Sequence, residues 1–150
     1  MAKVLAVCRS DSKGTIKENI GQGFFEENYG LVDDAHSDSN SHRQVSLLAI
    51  ESINKMRSMG LELKPGDFAE NLTTEGVDLP HLPVGTSLSV GEEVLLEVTQ
   101  IGKECHTGCA ISKKVGKCIM PKEGIFAKVM RRGTVKEGDA IQIVESNVTT

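Results

Sequence analysis

Hydrophobic and polar positions alternate with a period of two over much of the second half of the chain. Between residues 82 and 90, Leu, Val and Thr alternate with Pro, Gly and Ser until Gly91 interrupts the run. This is the pattern of a β-strand with one buried face. Strand-like runs also occur at residues 3–7, 94–101, 125–130 and 140–144, with a turn at 136–139. Short strands separated by turns at near-regular spacing predict a closed or nearly closed β-barrel.

The segment 47–59 instead has the period of about 3.6 that is typical of a helix. Its apolar face consists of Ala49, Ile50, Ile53 and Met56. Glu51 and Lys55 have the favourable i,i+4 arrangement, and Gly60 suits the position just after the helix. A short helical piece is also expected at 110–116. Because helices do not alternate with strands along the chain, the predicted class is mainly β with a few helices (α+β), not a doubly wound fold.

Residues 10–43 show neither period and are expected to be irregular. Residues 33–41 are dense in Asp, Ser and Asn, which indicates a loop. A loop of this length in a compact domain is commonly functional or disordered. Further along the chain, Pro65 and Gly66 fit a type II turn.

The length of 150 residues predicts one domain, with a core over about residues 2–145 and a disordered tail at 146–150. Four Phe, one Tyr and no Trp leave a core of Val, Ile, Leu and Met, and argue against stacking platforms for nucleic acid or sugars. Residues 1–8 lack the features of a signal peptide, and no apolar run approaches the ~20 residues that cross a bilayer. A cytoplasmic protein without membrane contact is therefore expected.

Charge is distributed unevenly along the chain. Residues 103–136 hold nine Lys and Arg against two acidic residues, whereas the remainder holds eight basic and nineteen acidic residues. The basic stretch should attract an anion such as a phosphate. Because the remainder is acidic, a nucleic-acid partner is not expected.

Cys105 lies in this basic stretch, a few residues after the predicted strand 94–101. In a reducing cytosol, reactive or metal-bound thiols are expected more often than disulfides. A thiolate is the reactive form of cysteine, and neighbouring cations favour it. An idle, buried cysteine is the alternative interpretation.

Three chemical interpretations of this segment remain open. Cys105, His106, Cys109 and Cys118 could chelate zinc, since thiolate and imidazole are its preferred ligands, although paired C-x2-C knuckles are missing. Cys105 and Cys109 could form a C-x3-C redox pair, although the usual motif is C-x2-C. A single thiolate at Cys105 could instead carry sulfur or ligate a soft metal, while nearby cations hold an anionic cofactor.

Several motifs in this order resemble the MOSC domain, the C-terminal domain of molybdenum cofactor sulfurases. They are Arg-Gln-Val-Ser-Leu-Leu at 43–48 with Glu51, Pro-Gly-Asp-Phe-Ala-Glu-Asn-Leu-Thr-Thr-Glu-Gly at 65–76, residues 82–91, Val-Thr-Gln at 98–100, the cysteine region, and residues 124–129 and 135–139. The resemblance covers roughly residues 2–145. It implies a β-rich barrel with a few helices and a role in molybdenum cofactor metabolism.

The resemblance also implies roles for particular residues. Cys105 matches the family's functional cysteine and would carry a persulfide or supply a thiolate ligand to molybdenum. Arg43 and His36 match positions near the family's pocket, whereas His42 is expected to be solvated. Asn71 and Thr73 would bond the pterin or satisfy a tight turn. The candidates for an anionic terminal phosphate, with solvated charge as the alternative, are Lys103, Arg131 and Arg132.

The implied cofactor is the molybdenum cofactor (molybdopterin), bound permanently or transiently. The implied partners are molybdenum cofactor biosynthesis proteins or molybdoenzymes, with a cysteine desulfurase as sulfur donor. Pyridoxal phosphate is sometimes associated with the family, but no lysine has a suitable context and it is not expected. Two alternatives stay open: a molybdenum-dependent reductase of N-hydroxylated compounds working with a redox partner, and a zinc-stapled interaction domain.

Overall fold

The computed structural model describes residues 2–10, 17–35, 37–58, 60, 62–68, 70–102 and 124–146. In chain order the first half contains β1 (Lys3–Arg9), β2 (Glu18–Asn19), β3 (Gln22–Glu26), β4 (Gly30–Leu31), β5 (Val45–Ala49), α1 (Ile50–Arg57) and β6 (Leu72–Glu75). A 3-10 turn at Leu79–His81 follows, and then β7 (Thr86–Val90), β8 (Val94–Ile101), β9 (Ile125–Arg131), β10 (Gly133–Lys136) and β11 (Ile141–Ser146). The predicted mainly β class is confirmed.

The strands form one large and one small sheet. The large sheet has eight strands in the order β11-β7-β8-β9-β5-β6-β1-β2, and the small one has the order β10-β3-β4. The described strand pairs are antiparallel except β5 with β6, whose connection contains α1. A parallel pair needs such a crossover because its second strand must start at the same end of the sheet as the first.

The predicted closure into a barrel is not supported. Neither sheet closes on itself among the described residues, and an isolated bridge between Lys3 and Ala140 links β1 to the chain before β11. Beyond this bridge β11 is an edge strand. Ile143 lies opposite the buried Leu88 of β7 and is nevertheless 56% exposed, because β11 has no further strand beside it in the described structure.

The predicted helix 47–59 begins too early, because residues 47–49 belong to β5. All five residues of β5 are buried. A strand that is covered on both faces has a nearly continuous apolar sequence without alternation. The pattern of β5 therefore could not be distinguished from that of the helix that follows it. Ile53 and Met56 of the predicted apolar face are buried in α1 as expected. The predicted piece at 110–116 lies outside the described residues.

The prediction that residues 10–43 are irregular is wrong in part. They contain β2, β3 and β4, which have two, five and two residues. Strands this short carry too few positions for a period of two to be visible. Likewise, residues 82–90 form a strand only from Thr86, because the 3-10 turn and Pro83 precede it.

The main hydrophobic core lies against one face of the large sheet and consists mainly of Val, Leu and Ile. A register shift between Val4 and Ala6 in β1 lets both Val4 and Val7 reach this core, since a bulge reverses the alternation of side chains. Cys8, Leu48, Ile53 and Phe68 are also fully buried but lie outside this cluster, because the opposite face of the central strands is covered as well. This second face carries the candidate site.

The described part of the chain contains no helix with the length and apolar character needed to cross a membrane.

Candidate functional site

The residues on either side of the segment that carries Cys105 meet at one point of the large sheet. Gly102 follows β8, Gly124 precedes β9, and the Gly102 amide donates to the Gly124 carbonyl oxygen over 2.7 Å. Both glycines are buried. Gly102 has a φ of 71°, in the left-handed region that glycine adopts without steric cost. This hydrogen bond defines the root of the segment 103–123.

Two polar side chains meet at this root. The Nε2 atom of His42 lies 2.6 Å from Oε1 of Gln100, and Nε2 of Gln100 donates to the Gly102 carbonyl over 2.7 Å. The hydroxyl of Thr99 donates to the backbone carbonyl of His42 and, over 3.2 Å, to that of Phe126. The loop before β5 is therefore attached to the end of β8 by both side-chain and backbone groups.

Arg43 is placed beside the same root. Its guanidinium carbon lies 5.8 Å from the centroid of the Phe126 ring, while Phe126 itself is only 7% exposed. A cation over an aromatic face is attracted by the ring quadrupole, and arginine keeps its planar donors available at the edge. Arg43 is exposed, so a positive charge with free access to solvent stands next to His42.

These groups belong to a line of residues that crosses β8, β9, β5 and β1 and includes Asn71 immediately before β6. We call this line the transverse row. Gln100 is paired with Phe126, Phe126 with Ser46, and Ser46 is hydrogen-bonded to Asn71, which bonds Cys8. Directly opposed residues in a sheet project from the same face. The flanking core residues, among them Leu47 and Ile125, project to the other side. The row therefore lies on the second face of the sheet.

Both polar atoms of the Asn71 side chain form hydrogen bonds within the protein. Its Oδ1 accepts from the amide of Ser46 over 3.0 Å and from the Ser46 hydroxyl over 3.2 Å, and its Nδ2 donates to the Cys8 carbonyl over 3.1 Å. It is 0% exposed. The described hydrogen bonds of Asn71 thus join β5 to β1.

Glu70, beside the row, is a buried carboxyl with one satisfied oxygen. Oε2 accepts from the Gly66 amide over 2.9 Å and from the Thr73 hydroxyl over 2.7 Å, whereas Oε1 has no hydrogen-bond partner among the described residues. Burial raises the pKa of Glu70, and the hydrogen bonds from Gly66 and Thr73 oppose this effect. A buried carboxylate with an open oxygen favours the protonated form.

Cys8 is a buried thiol near the same carboxyl. Burial raises the pKa of Cys8 well above its ordinary value, and the charge of Glu70 raises it further, against smaller opposing effects from Thr73 and Lys17. A thiol in this environment stays protonated and unreactive. Cys8 is therefore a structural residue.

Lys17 and Asp34 form a buried ion pair. Their Nζ and Oδ1 atoms are 2.7 Å apart, and both side chains are 0% exposed. Burial lowers the pKa of Lys17, and its hydrogen bond and charge attraction to Asp34 oppose the decrease. This pair attaches the chain at residue 17 to the polar loop after β4.

The family model described as the MOSC domain matches residues 33–142 of the chain. The chain belongs to the MOSC domain family. The expected resemblance is therefore confirmed. No curated protein matches the chain in sequence.

Solved structures share the fold of this MOSC chain. The YuaD protein from Bacillus subtilis is 19% identical with a TM-score of 0.75, and the match covers 94% of each chain. YiiM from Geobacillus stearothermophilus is 17% identical with a TM-score of 0.76, over 99% of this chain and 77% of that one. YiiM from Escherichia coli is 19% identical with a TM-score of 0.67, over 100% and 73%. At these identities the likeness concerns the fold.

The sequence-predicted site residues of the MOSC chain fall into four groups. Arg43 lies at the root of the segment, together with His42 and Gln100, which sequence reasoning did not select. Asn71 and Thr73 lie on the second face, in contact with Ser46 and Glu70 respectively. The residues His36, Lys103, Cys105, His106, Cys109 and Cys118 lie outside the described residues.

Arg131 and Arg132 lie at the other end of the β8–β9 ladder. Arg131 is paired with Leu95, whereas Ile125, next to the root, is paired with Ile101. Six residues of strand separate these pairs by about 20 Å. Arg131 donates to the Glu93 carbonyl over 2.9 Å, and Arg132 lies 3.7 Å from Glu26. The structure therefore does not bring these two arginines together with Arg43.

A cavity of about 450 Å³ lies at the carboxyl ends of β5 and β6, beside the first turns of α1. Ala49, Val77 and Pro80 form apolar parts of its lining, and Asp78 and His81 also line it. His81 Nδ1 lies 2.7 Å from Asp78 Oδ2, and both side chains are largely exposed. Among the described residues, none that was predicted from the sequence as a site residue lines this cavity.

Two features of the sequence mark the residues that sequence reasoning did not select. Thr99 and Gln100 are adjacent polar residues at the end of an otherwise alternating strand, which marks a place where a strand meets a polar site. His42 directly precedes the Arg43 motif. By contrast, nothing in the sequence around Lys17 distinguishes a buried lysine from a solvated one.

Proposed function

We propose that this MOSC protein acts in molybdenum cofactor metabolism through the thiol of Cys105, as a sulfur carrier or as a binding protein for the cofactor. The family match spans residues 33–142 and so includes Cys105. The basic stretch that contains this cysteine supports the same role, since positive charge favours a thiolate and an anionic cofactor.

The observation that carries the proposal is the root of the segment. Gly102 is hydrogen-bonded to Gly124 and to Gln100, next to His42 and Arg43. Three peptide links separate Gly102 from Cys105 in the chain, which limits the distance between their Cα atoms to about 11 Å. The covalent connection to Gly102, next to which His42 and Arg43 lie, supports the proposal that Cys105 acts together with these residues.

The proposed sulfur transfer needs no external oxidant. The Cys105 thiolate attacks the terminal sulfur of a donor persulfide, a new S–S bond forms at Cys105, and the donor's S–S bond breaks to release the donor thiolate. A pyridoxal phosphate-dependent cysteine desulfurase is the class of enzyme that makes such a persulfide, so the proposal assigns pyridoxal phosphate to the donor. The acceptor would be the cofactor, in a biosynthetic protein or molybdoenzyme of the cytoplasm.

The described residues fit the molybdenum cofactor in part. Arg43 is an exposed cation beside the root and suits an anionic group, since a guanidinium pairs with phosphate through two parallel hydrogen bonds. Asn71 and Thr73 are buried, and their described hydrogen bonds are formed with other groups of the protein. Arg43 would therefore hold the anionic end, and Cys105 would supply a thiolate. When bound, the cofactor supplies a redox-active metal.

The decisive experiment is sulfur loading with a cysteine desulfurase and radiolabelled cysteine, followed by native mass spectrometry. We expect label on the wild type and on Cys109→Ser, with one added sulfur atom (about 32 Da, a persulfide), and no label on Cys105→Ser. Cys8→Ser should load normally, because Cys8 is buried and its pKa is raised. Loading of Cys105→Ser at the wild-type level would refute the role of Cys105.

Metal analysis of protein from a host that makes the cofactor separates the remaining roles. Stoichiometric molybdenum that is lost in Cys105→Ser supports cofactor binding, and reduction of an N-hydroxylated base in the presence of a redox partner would extend the role to catalysis. Stoichiometric zinc, with loss of folding on chelation, would replace the proposal by a zinc-stapled domain.

A further inference from the structure

The buried carboxyl of Glu70 is attached to a short turn at residues 64–67, which we call the Gly66 turn. The Gly66 amide donates to Oε2 of Glu70 over 2.9 Å. Gly66 is also packed against the thiol of Cys8, because a Cβ atom added at Gly66 would lie 3.3 Å from Sγ of Cys8. Glu70 and Cys8 are both 0% exposed. The Gly66 turn therefore contacts both a buried carboxyl and a buried thiol.

The Gly66 turn also holds the chain at residue 17. The Lys17 amide donates to the Gly66 carbonyl over 2.8 Å. The Lys17 side chain is paired with Asp34, whose Oδ1 accepts from the Ser10 amide over 3.1 Å. These contacts connect the Gly66 turn to Ser10, directly after β1, and to the polar loop after β4. A displacement of the turn would therefore remove the acceptor of the Lys17 amide.

One oxygen of Glu70 disfavours the ionised form while the turn is in place. Oε1 is buried and has no hydrogen-bond partner among the described residues. A buried carboxylate oxygen without a donor loses the solvation that water would supply. The neighbouring Cys8 does not compensate for this loss, since burial raises the pKa of its thiol and keeps it uncharged. Ionisation of Glu70 is therefore favoured only when water reaches Oε1.

The basic residues near Glu70 do not remove this penalty either. Lys17 is paired with the Asp34 carboxylate at 2.7 Å, so the two charges largely cancel. In the Gly66 turn, Nζ of Lys64 lies 3.5 Å from Oδ1 of Asp67, and the Lys64 side chain is 64% exposed. Because these positive charges are paired or solvated, an ionised Glu70 gains little from them.

We propose that the Gly66 turn is a pH-sensitive switch, which is closed while Glu70 is protonated and opens when Glu70 ionises. In this step the O–H bond of the Glu70 carboxyl breaks, the proton passes to solvent, and water binds the carboxylate. The open turn exposes the Cys8 thiol and releases the Lys17 amide. This switch is independent of the role proposed for Cys105.

The population of the open turn then has a defined dependence on pH. In the open turn Glu70 has the ordinary carboxyl pKa of about 4.3, whereas burial raises the pKa of Glu70 in the closed turn. Between these two values the open population rises about tenfold for each pH unit. The thiolate fraction of an exposed Cys8 also rises about tenfold per unit below the ordinary thiol pKa of about 8.5. Alkylation of Cys8 should therefore accelerate about a hundredfold per pH unit.

The test is the rate at which N-ethylmaleimide alkylates Cys8 from pH 5 upward, read by mass spectrometry of the peptide that contains Cys8. We expect a rise of about a hundredfold per pH unit at the start of this range in the wild type, since both Glu70 and the thiol lose a proton. Glu70→Gln should show about tenfold, because only the thiol titrates. Glu75→Gln, at a half-exposed carboxyl, is the matched control and should keep the wild-type slope. A tenfold rise in the wild type would overturn the proposal, even if Glu70→Gln does not fold.

Local opening of the turn is distinguished from global unfolding, which also exposes Cys8, by its response to urea. Opening of a four-residue turn exposes little surface, so the alkylation rate should stay constant at low urea concentrations. Global unfolding exposes the whole core and accelerates with urea. A rate that rises from the lowest urea concentrations would show that Cys8 reacts only through global unfolding, and the switch would be wrong.

Discussion

Asn71 and Ser46 bond each other through both backbone and side-chain atoms. The Asn71 amide donates to the carbonyl and hydroxyl oxygens of Ser46 over 2.9 and 3.0 Å, while Oδ1 of Asn71 accepts from the amide and hydroxyl of Ser46. Its Nδ2 reaches Cys8 in β1. One asparagine therefore holds the central strands together where the transverse row crosses them.

Replacement of Asn71 by Ala should destabilise the protein by about 2–4 kcal/mol, because buried groups of Ser46 and Cys8 lose their partners at about 1–3 kcal/mol each. Urea unfolding monitored by circular dichroism measures this. Asn40→Ala, at an exposed position, is the matched control and should change stability by less than about 0.5 kcal/mol. Equal effects of the two substitutions would contradict the structural role of Asn71.

Glu70 should make stability depend on pH in a specific direction. Burial raises its pKa in the folded protein, so the folded state binds this proton more tightly than the unfolded state does. The contribution of Glu70 to the free energy of unfolding is fully present below the pKa of about 4.3 that this carboxyl has in the unfolded chain. It is lost as pH rises toward the pKa of Glu70 in the folded protein.

Glu70→Gln removes this titration while it retains an oxygen for Gly66 and Thr73. We therefore expect the stability of the wild type relative to Glu70→Gln to increase as pH falls from 8 to 5. Glu75→Gln, at a half-exposed carboxyl that contacts Lys3, is the control substitution. A wild-type-to-Glu70→Gln difference that is constant over this range would show that the carboxyl is ionised and satisfied in the folded protein.

The buried pair of Lys17 and Asp34 should be costly to break. Lys17→Met leaves the Asp34 carboxylate buried without this partner, and we expect a loss of about 3–5 kcal/mol. Lys3→Met disrupts the half-exposed contact with Glu75 at 3.6 Å and should cost less than about 1 kcal/mol. Chemical denaturation of both variants checks the contrast. Similar small losses would mean that water or other groups replace Lys17.

Gly66 and Gly60 provide a matched test of backbone strain against steric overlap. Both have positive φ, 95° and 91°. A Cβ atom at Gly66 would overlap the Lys17 carbonyl oxygen and approach Sγ of Cys8, whereas a Cβ at Gly60 meets no atom of the other described residues within 4 Å.

Gly60→Ala should therefore cost about 1–2 kcal/mol, the strain of the left-handed conformation alone. Gly66→Ala must also displace the chain at residue 17, so we expect a loss of more than about 3 kcal/mol or failure to fold. Thermal unfolding, or expression level if the protein does not fold, measures the difference. Equal losses would show that the contact between Gly66 and Lys17 is not a constraint.

The sequence predicted a strand correctly where the alternation of buried and exposed positions was visible among neighbouring residues. The strands 94–101 and 125–130 were predicted nearly to the residue because one face of each is buried and the alternation is visible. β5 was merged with α1 because both of its faces are covered, and β6 went unrecognised because Thr73 and Thr74 are buried polar residues. The motif at 65–76 identified the family, and Asn71, Glu70 and Gly66 within it make contacts that hold the strands together.

The order of residues along the chain determined the family, the mainly β class and the candidate cysteine, because motifs and short periods are properties of neighbouring residues. Only the tertiary structure decided that His42 and Gln100, 58 positions apart, share a hydrogen bond. It also placed Arg131 at the far end of the ladder from Arg43, and Lys17 in the interior beside Asp34. These outcomes depend on strand register and burial, which arise when distant segments pack and leave no trace in the local pattern.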